Sequence, residues 1–110
     1  MKYCYNMTFL VQAGTMAEQL DWITRRVEHL RRSPSFTGTD ASVAQVLAVP
    51  GMGDYGRDET SVTAQFEFDD RDAATAWGDT HFAALAGAFS KKFGQRAYVM
   101  PSIISMRKIS

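Results

Sequence analysis

The chain carries one cysteine, Cys4, two histidines, His29 and His81, and no net charge of either sign. A single thiol excludes an internal disulfide and a cysteine-rich metal site, and Cys4 reads as a small buried apolar residue. Two isolated histidines without H-x-x-x-H or E-x-x-H spacing give no zinc or iron centre, so no metal site is expected. Twelve Lys+Arg against twelve Asp+Glu argue against a phosphate-backbone binder, and a neutral chain lacks the self-repulsion that keeps monomers apart. No apolar run approaches the roughly 18 residues that span a bilayer. Met1–Val11 is apolar but alternates like a strand, with one cation and no small-residue cleavage site, so it is not read as a signal peptide and a cytoplasmic location is expected. There is no G-x-S-x-G, and the lone cysteine has no evident catalytic partner. The glycine-rich stretch Pro50–Asp58 lacks the G-x-x-x-x-G-K-[ST] pattern and precedes a strand, so it reads as a hairpin connection or a lid and not as a phosphate cradle.

What remains is an ordinary globular composition, 45% apolar and 22% charged over 110 residues, and one domain is expected over 1–110. Tyr3–Val11 predicts a strand with Tyr3, Tyr5, Met7, Phe9 and Val11 on one face and Cys4, Asn6, Thr8 and Leu10 on the other. Thr15-Met16-Ala17-Glu18 has the capping-box pattern, and Met16, Leu20, Ile23, Val27 and Leu30 make one helical stripe ended by Pro34. Arg25, Arg26, Arg31 and Arg32 fall mainly outside that stripe and read as a solvated helix end in preference to an anion site; His29 reads as a surface residue near the helix C-terminus. Ala41–Val49 predicts a second strand, and Ser61–Phe68 a third with Val62, Ala64, Phe66 and Phe68 inward. Asp69 or Asp70 caps a second helix running to about Phe93, with Phe82, Leu85, Phe89 and Phe93 as its core stripe and Gly94 as a left-handed terminator. Ala97–Ile109 supplies a last strand, at an edge or bulged, because Pro101 cannot donate to a ladder.

The order β-α-β-β-α-β predicts an α+β, ferredoxin-like split βαβ fold: a four-stranded antiparallel sheet with both helices on one face. The other face stays open. Placing Tyr3, Tyr5, Met7 and Phe9 on that open face predicts a second copy of the chain as its cover, a homodimer through the sheet. An RNA-recognition domain shares the element order, but Thr63 and Gln65 stand where its third-strand stacking aromatics belong, so nucleic acid is not an expected partner.

Trp77 and His81 are four residues apart on the second helix, beside the small Ala84 and Ala88, which suggests the wall of a cavity; the plainer alternative is that both pack at a helix or subunit boundary. The layout resembles the dimeric α/β-barrel superfamily, which includes small antibiotic-biosynthesis monooxygenases, polyketide cyclases and haem-degrading monooxygenases. Within it, Tyr5-Asn6-Met7-Thr8 and the segment from His81-x-x-x-Leu85 through Phe93-Gly94-x-Arg96 resemble an uncharacterised family of short bacterial proteins, a domain of unknown function. That resemblance implies a dimeric α/β barrel with a pocket for a small apolar or aromatic ligand between helices and sheet. Cofactor-free monooxygenases of the superfamily supply a shaped apolar pocket and a few polar groups, so no cofactor is implied. The expected lining is Asn6, Trp77, His81, Arg96 and Tyr98. In an enzyme His81 is the acid/base and Asn6 an orienting hydrogen-bond partner; in a non-catalytic module the same pocket only holds a ligand. Haem-degrading members use a first-strand Asn, a Trp and a helical His. Asn6 and Trp77 match the first two in kind, but the ligand position falls at Ala86, with His81 a turn early.

Overall fold

The computed structural model describes residues 1–10, 15–47, 61–94 and 98–109. Val11, Gly14, the Pro50–Asp58 stretch and Arg96 lie outside them. The elements are β1 (Lys2–Leu10), α1 (Met16–Arg32), β2 (Asp40–Gln45), β3 (Ser61–Phe68), α2 (Arg71–Phe93) and β4 (Tyr98–Met106). They form one antiparallel four-stranded sheet of order β2-β3-β1-β4, the ferredoxin-like arrangement. The second strand is shorter than expected and ends at Gln45. β4 is an edge strand, and Pro101 sits opposite Met7 in an unbroken register, so its missing N–H costs no outer ladder bond.

The helices lie on the face of β1 that carries Tyr5, Met7 and Phe9. All three are buried in one core with Ile23 and Val27 of α1, Val62, Ala64, Phe66 and Phe68 of β3, and Trp77, Leu85 and Phe89 of α2. This corrects the expectation that the Tyr3, Tyr5, Met7, Phe9 face is the one a second copy covers. The helical stripes are the largest apolar surfaces the chain can bring to the sheet, and they take its more apolar side. The open face therefore shows the alternate residues Cys4, Asn6, Thr8 and Leu10.

The helix ends follow from local chemistry. Asp70 accepts a hydrogen bond from the Ala73 N–H at 2.9 Å, the N-cap of α2. Gly94 closes that helix at φ +99° and ψ 172°, not in the left-handed helical region expected but in an extended positive-φ region that is essentially glycine's alone. At α1 the capping box does not form. Thr15 is the N-cap residue, but its hydroxyl accepts from the Gln19 side chain at 2.6 Å, one turn on, and makes no capping bond to the helix backbone.

Phe36, in the connection between α1 and β2, was not anticipated. It packs edge-on against Phe66, Phe68 and Trp77 with centroids 5.6–6.1 Å apart. With Tyr5 it encloses Trp77, which is 4% exposed. The indole is thus a core residue that also reaches the surface groove described next.

Candidate functional site

Trp77 and His81 come together as the spacing predicts. Their rings lie 4.8 Å apart at an interplanar angle of 36°. They line a cleft of about 410 Å³ between α2 and the connection after α1, with Ser35, Thr37, Ala73, Ala76 and Thr80. Next along α2, His81 also lines a smaller cleft of about 110 Å³ with Ala84, Leu85 and, from α1, Arg26, His29 and Leu30. The α2 positions involved are 73, 76, 77, 80, 81, 84 and 85, one face of a helix. The two clefts are therefore successive compartments of one groove, and His81 is their shared wall.

The polar chemistry of this groove is sparse. The Trp77 indole N–H is buried and has no hydrogen-bond partner among the described residues. A buried donor left without an acceptor costs about 1–3 kcal/mol, so this N–H is an unmade hydrogen bond on a residue that lines the cleft. Among the described residues, His81 is the ionisable group lining the larger compartment, and no carboxylate lines either compartment. Arg26 is held by stacking over Trp22, its guanidinium 4.8 Å from the ring centroid. The neighbouring Arg25 is paired with Asp21, whereas Arg26 has no ion pair among the described residues.

Asn6 and Tyr98 are elsewhere. Asn6 follows Tyr5 by one residue and so points away from the helices. It is 6% exposed, in a row that crosses the open face from Ser42 through Gln65 and Asn6 to Ser102. Its side-chain amide donates to Thr8 at 3.3 Å and Ser102 at 3.4 Å, and its Oδ1 is buried without a partner among the described residues. Tyr98 is 60% exposed on the same face, opposite Leu10. The expected convergence of Asn6 and His81 on one cavity does not occur within a protomer, because the sheet separates them. Trp77 and Asn6 are separated in the same way, and Ala86 has no donor atom, so these residues do not fit a haem. Cys4, on the open face beside Glu67, has its thiol pushed up by burial; the Phe66 backbone hydrogen bond opposes this and the Glu67 charge adds to it.

Sequence reasoning missed Ser35, Thr37 and Thr80 as lining residues and treated Arg26 as solvated surface. Trp77 and His81 were legible because helical spacing is local. The residues facing them come from α1 and its connection, and depend on how two helices pack.

A larger cleft, about 480 Å³, lies between α1 and β2 and is lined by Leu20, Thr24, Val27 and Glu28 among others. Among the described residues its sole ionisable lining residue is Glu28, and none of its lining residues has an unpartnered buried polar side chain. Among the described residues no group of three or more His, Cys, Asp or Glu is placed to hold a metal ion, and no helix is long and apolar enough to cross a membrane.

The family model described as domain of unknown function DUF4286 matches residues 2–106. This chain is a DUF4286 protein. No curated protein matches the sequence of the DUF4286 chain. Among solved structures, a monooxygenase from Streptomyces coelicolor in complex with nanaomycin D is 20% identical, with a TM-score of 0.62 over 98% of this chain and 89% of that one. SnoaB, a cofactor-independent oxygenase from Streptomyces nogalater, is 17% identical, with a TM-score of 0.61 over 98% and 95%. A dimeric ferredoxin-like protein of unknown function from Jannaschia is 12% identical, with a TM-score of 0.57 over 94% and 99%. At these identities the likeness establishes that the DUF4286 chain shares their fold.

Proposed function

We propose that this DUF4286 chain binds a small, flat apolar or aromatic molecule in the groove along α2, against Trp77 and His81. The carrying observation is that Trp77, which lines that groove, has a buried indole N–H with no partner among the described residues. A ligand acceptor supplies the bond the protein leaves unmade, while the alanines at 73 and 76 leave room for a ring. In the enzymatic form of this reading, with cofactor-independent oxygenases sharing the fold, His81 exchanges a proton with the bound ring. In the non-catalytic form the same groove only holds the ligand. Oxygen consumption in the presence of bound ligand separates the two forms.

The direct test uses nanaomycin D as probe and the two indole N–H resonances of the 15N-labelled protein as readout. Binding as proposed moves the Trp77 resonance and leaves that of Trp22 in place, and Trp77→Phe, which keeps a ring but lacks the donor, weakens affinity. Equal movement of both resonances, or none, overturns the site.

The partner proposed for the open sheet face is a second copy. The exposed apolar side chains Leu10, Tyr98, Met100 and Ile104 lie together on it by register, beside the nearly buried amide of Asn6. A patch of that kind on a neutral chain favours self-association. Light scattering should give twice 12.3 kDa at micromolar concentration, and Ile104→Asp should return the monomer; a wild-type monomer refutes the assembly.

A further inference from the structure

The second compartment of the groove differs in chemistry from the first. Its small volume, about 110 Å³, is the share of liquid volume of about four waters, too little for a ring and enough for a compact polar head. Arg26 and His29, both carriers of N–H donors, line it from α1, and among the described residues no carboxylate lines it to neutralise them. Arg26 is oriented by its stacking on Trp22 and has no ion pair among the described residues, so its planar fork is held in place without a counter-ion. Both histidines of the chain border this compartment, although they are 52 positions apart in sequence (81 − 29).

We infer that the ligand is an aromatic carboxylate of two fused rings with an oxygen acceptor at its far end, its rings and that oxygen against Trp77 and its carboxylate in the compartment of Arg26 and His29, passing His81 between them. This rests on the groove being a ligand site at all. The length follows from the helix. Trp77 to Ala84 is seven residues, about 10 Å at about 1.5 Å per residue, which a two-ring acid spans and a benzoate does not. The head group follows from the guanidinium, whose paired N–H groups match the two oxygens of a carboxylate. His29 adds one further donor, and the small side chains of Ala76 and Ala84 line the two compartments on either side of His81.

The test compares 6-hydroxy-2-naphthoate with its neutral methyl ester at pH 7.5 in low salt, again read on the Trp77 indole resonance. The acid should bind about tenfold more tightly than the ester, a difference of about 1.4 kcal/mol. The preference should disappear in Arg26→Gln, which keeps a stem that packs on Trp22, and should shrink at high salt. Benzoate should bind weakly at best. If acid and ester move the Trp77 resonance with equal affinity, the carboxylate subsite is refuted while the ring site stands. If neither moves it and nanaomycin D does not either, the groove itself is refuted. A preference for the acid that survives in Arg26→Gln places the anion elsewhere and also overturns the inference.

Discussion

A Cβ at position 78 would fall inside the ring of Tyr5, and the glycine there lets α2 lie directly on β1. Tyr5 has little freedom to yield. It is 5% exposed and held edge-on by Trp77 with centroids 6.3 Å apart. Gly87 is a second interior glycine of the same helix, and a Cβ there meets nothing within 4 Å. Gly→Ala at either position gains about 0.5–1 kcal/mol of helix propensity. At 87 that gain is the whole effect, so Gly87→Ala should stabilise the protein. At 78 it is opposed by overpacking, which costs about 1–3 kcal/mol in a close-packed core. Subtracting one variant from the other cancels the propensity and leaves the steric cost. The two midpoints should therefore separate by about 1–3 kcal/mol, at about 4–8 °C of melting temperature per kcal/mol for a domain near this size. Urea unfolding followed by circular dichroism measures this directly. It must be run at one protein concentration, since association stabilises by mass action. Trimming Tyr5 to Leu in the Gly78→Ala background should recover part of the loss, a coupling that independent sites would not show. If Gly78→Ala unfolds at the same urea concentration as Gly87→Ala, α2 does not rest on Tyr5 and the helix–sheet contact is wrong.

Three further outcomes follow from the same packing and electrostatics. Gly94→Ala forces a Cβ into an extended positive-φ backbone and should cost about 1–3 kcal/mol, read as a lowered melting temperature with no change in the affinity of the folded protein for nanaomycin D. Phe89→Ala should cost about 3–5 kcal/mol and leave the protein largely unfolded, whereas Phe93→Ala, at a half-buried position, should cost less; equal losses would contradict the burial of Phe89 against Phe9 and Trp22. Cys4 and Tyr5 both hold their protons more tightly folded than unfolded, Cys4 first through burial and Tyr5 through burial and then the Asp79 charge. Above the ordinary thiol value of 9.0 the unfolded chain therefore binds fewer protons than the folded one, and stability should fall as pH rises. The drop in melting temperature between pH 8 and pH 10 should shrink in Cys4→Ala, and an unchanged drop removes the thiol from the account.

The elements were legible because their signals are local. Ser61–Phe68 alternates without a break and is buried at every second residue, as its pattern says. Asp70 and Gly94 mark the ends of α2 through one hydrogen bond and one backbone angle. The orientation of β1 was not local. Tyr3, Tyr5, Met7 and Phe9 are visibly the more apolar face, but alternation does not say whether that face meets helices or a second copy. The helices decide it, because Ile23, Val27, Leu85 and Phe89 need an apolar surface and only one face of the sheet is within their reach.

That single choice of face also determines what the candidate site can contain. Tyr5 and Asn6 are adjacent in sequence, so once Tyr5 lies under α2, Asn6 must lie on the far side of the sheet, and no rotamer returns it to His81. A site imagined as Asn6, Trp77 and His81 together therefore splits into a groove on the helix layer and a polar row on the open face. The split is chemically coherent. The groove keeps an unsatisfied donor, an imidazole and a guanidinium with no ion pair among the described residues, the groups that the proposed aromatic ligand would engage. The open face keeps an amide already bonded to two hydroxyls beside an exposed apolar edge, which is the equipment for a specific self-contact. In a dimer formed through the open faces, each helix-layer groove lies on the outer side of its own sheet. Ligand binding and assembly then become separable, and Ile104→Asp should dissociate the dimer without changing the affinity of each groove for nanaomycin D.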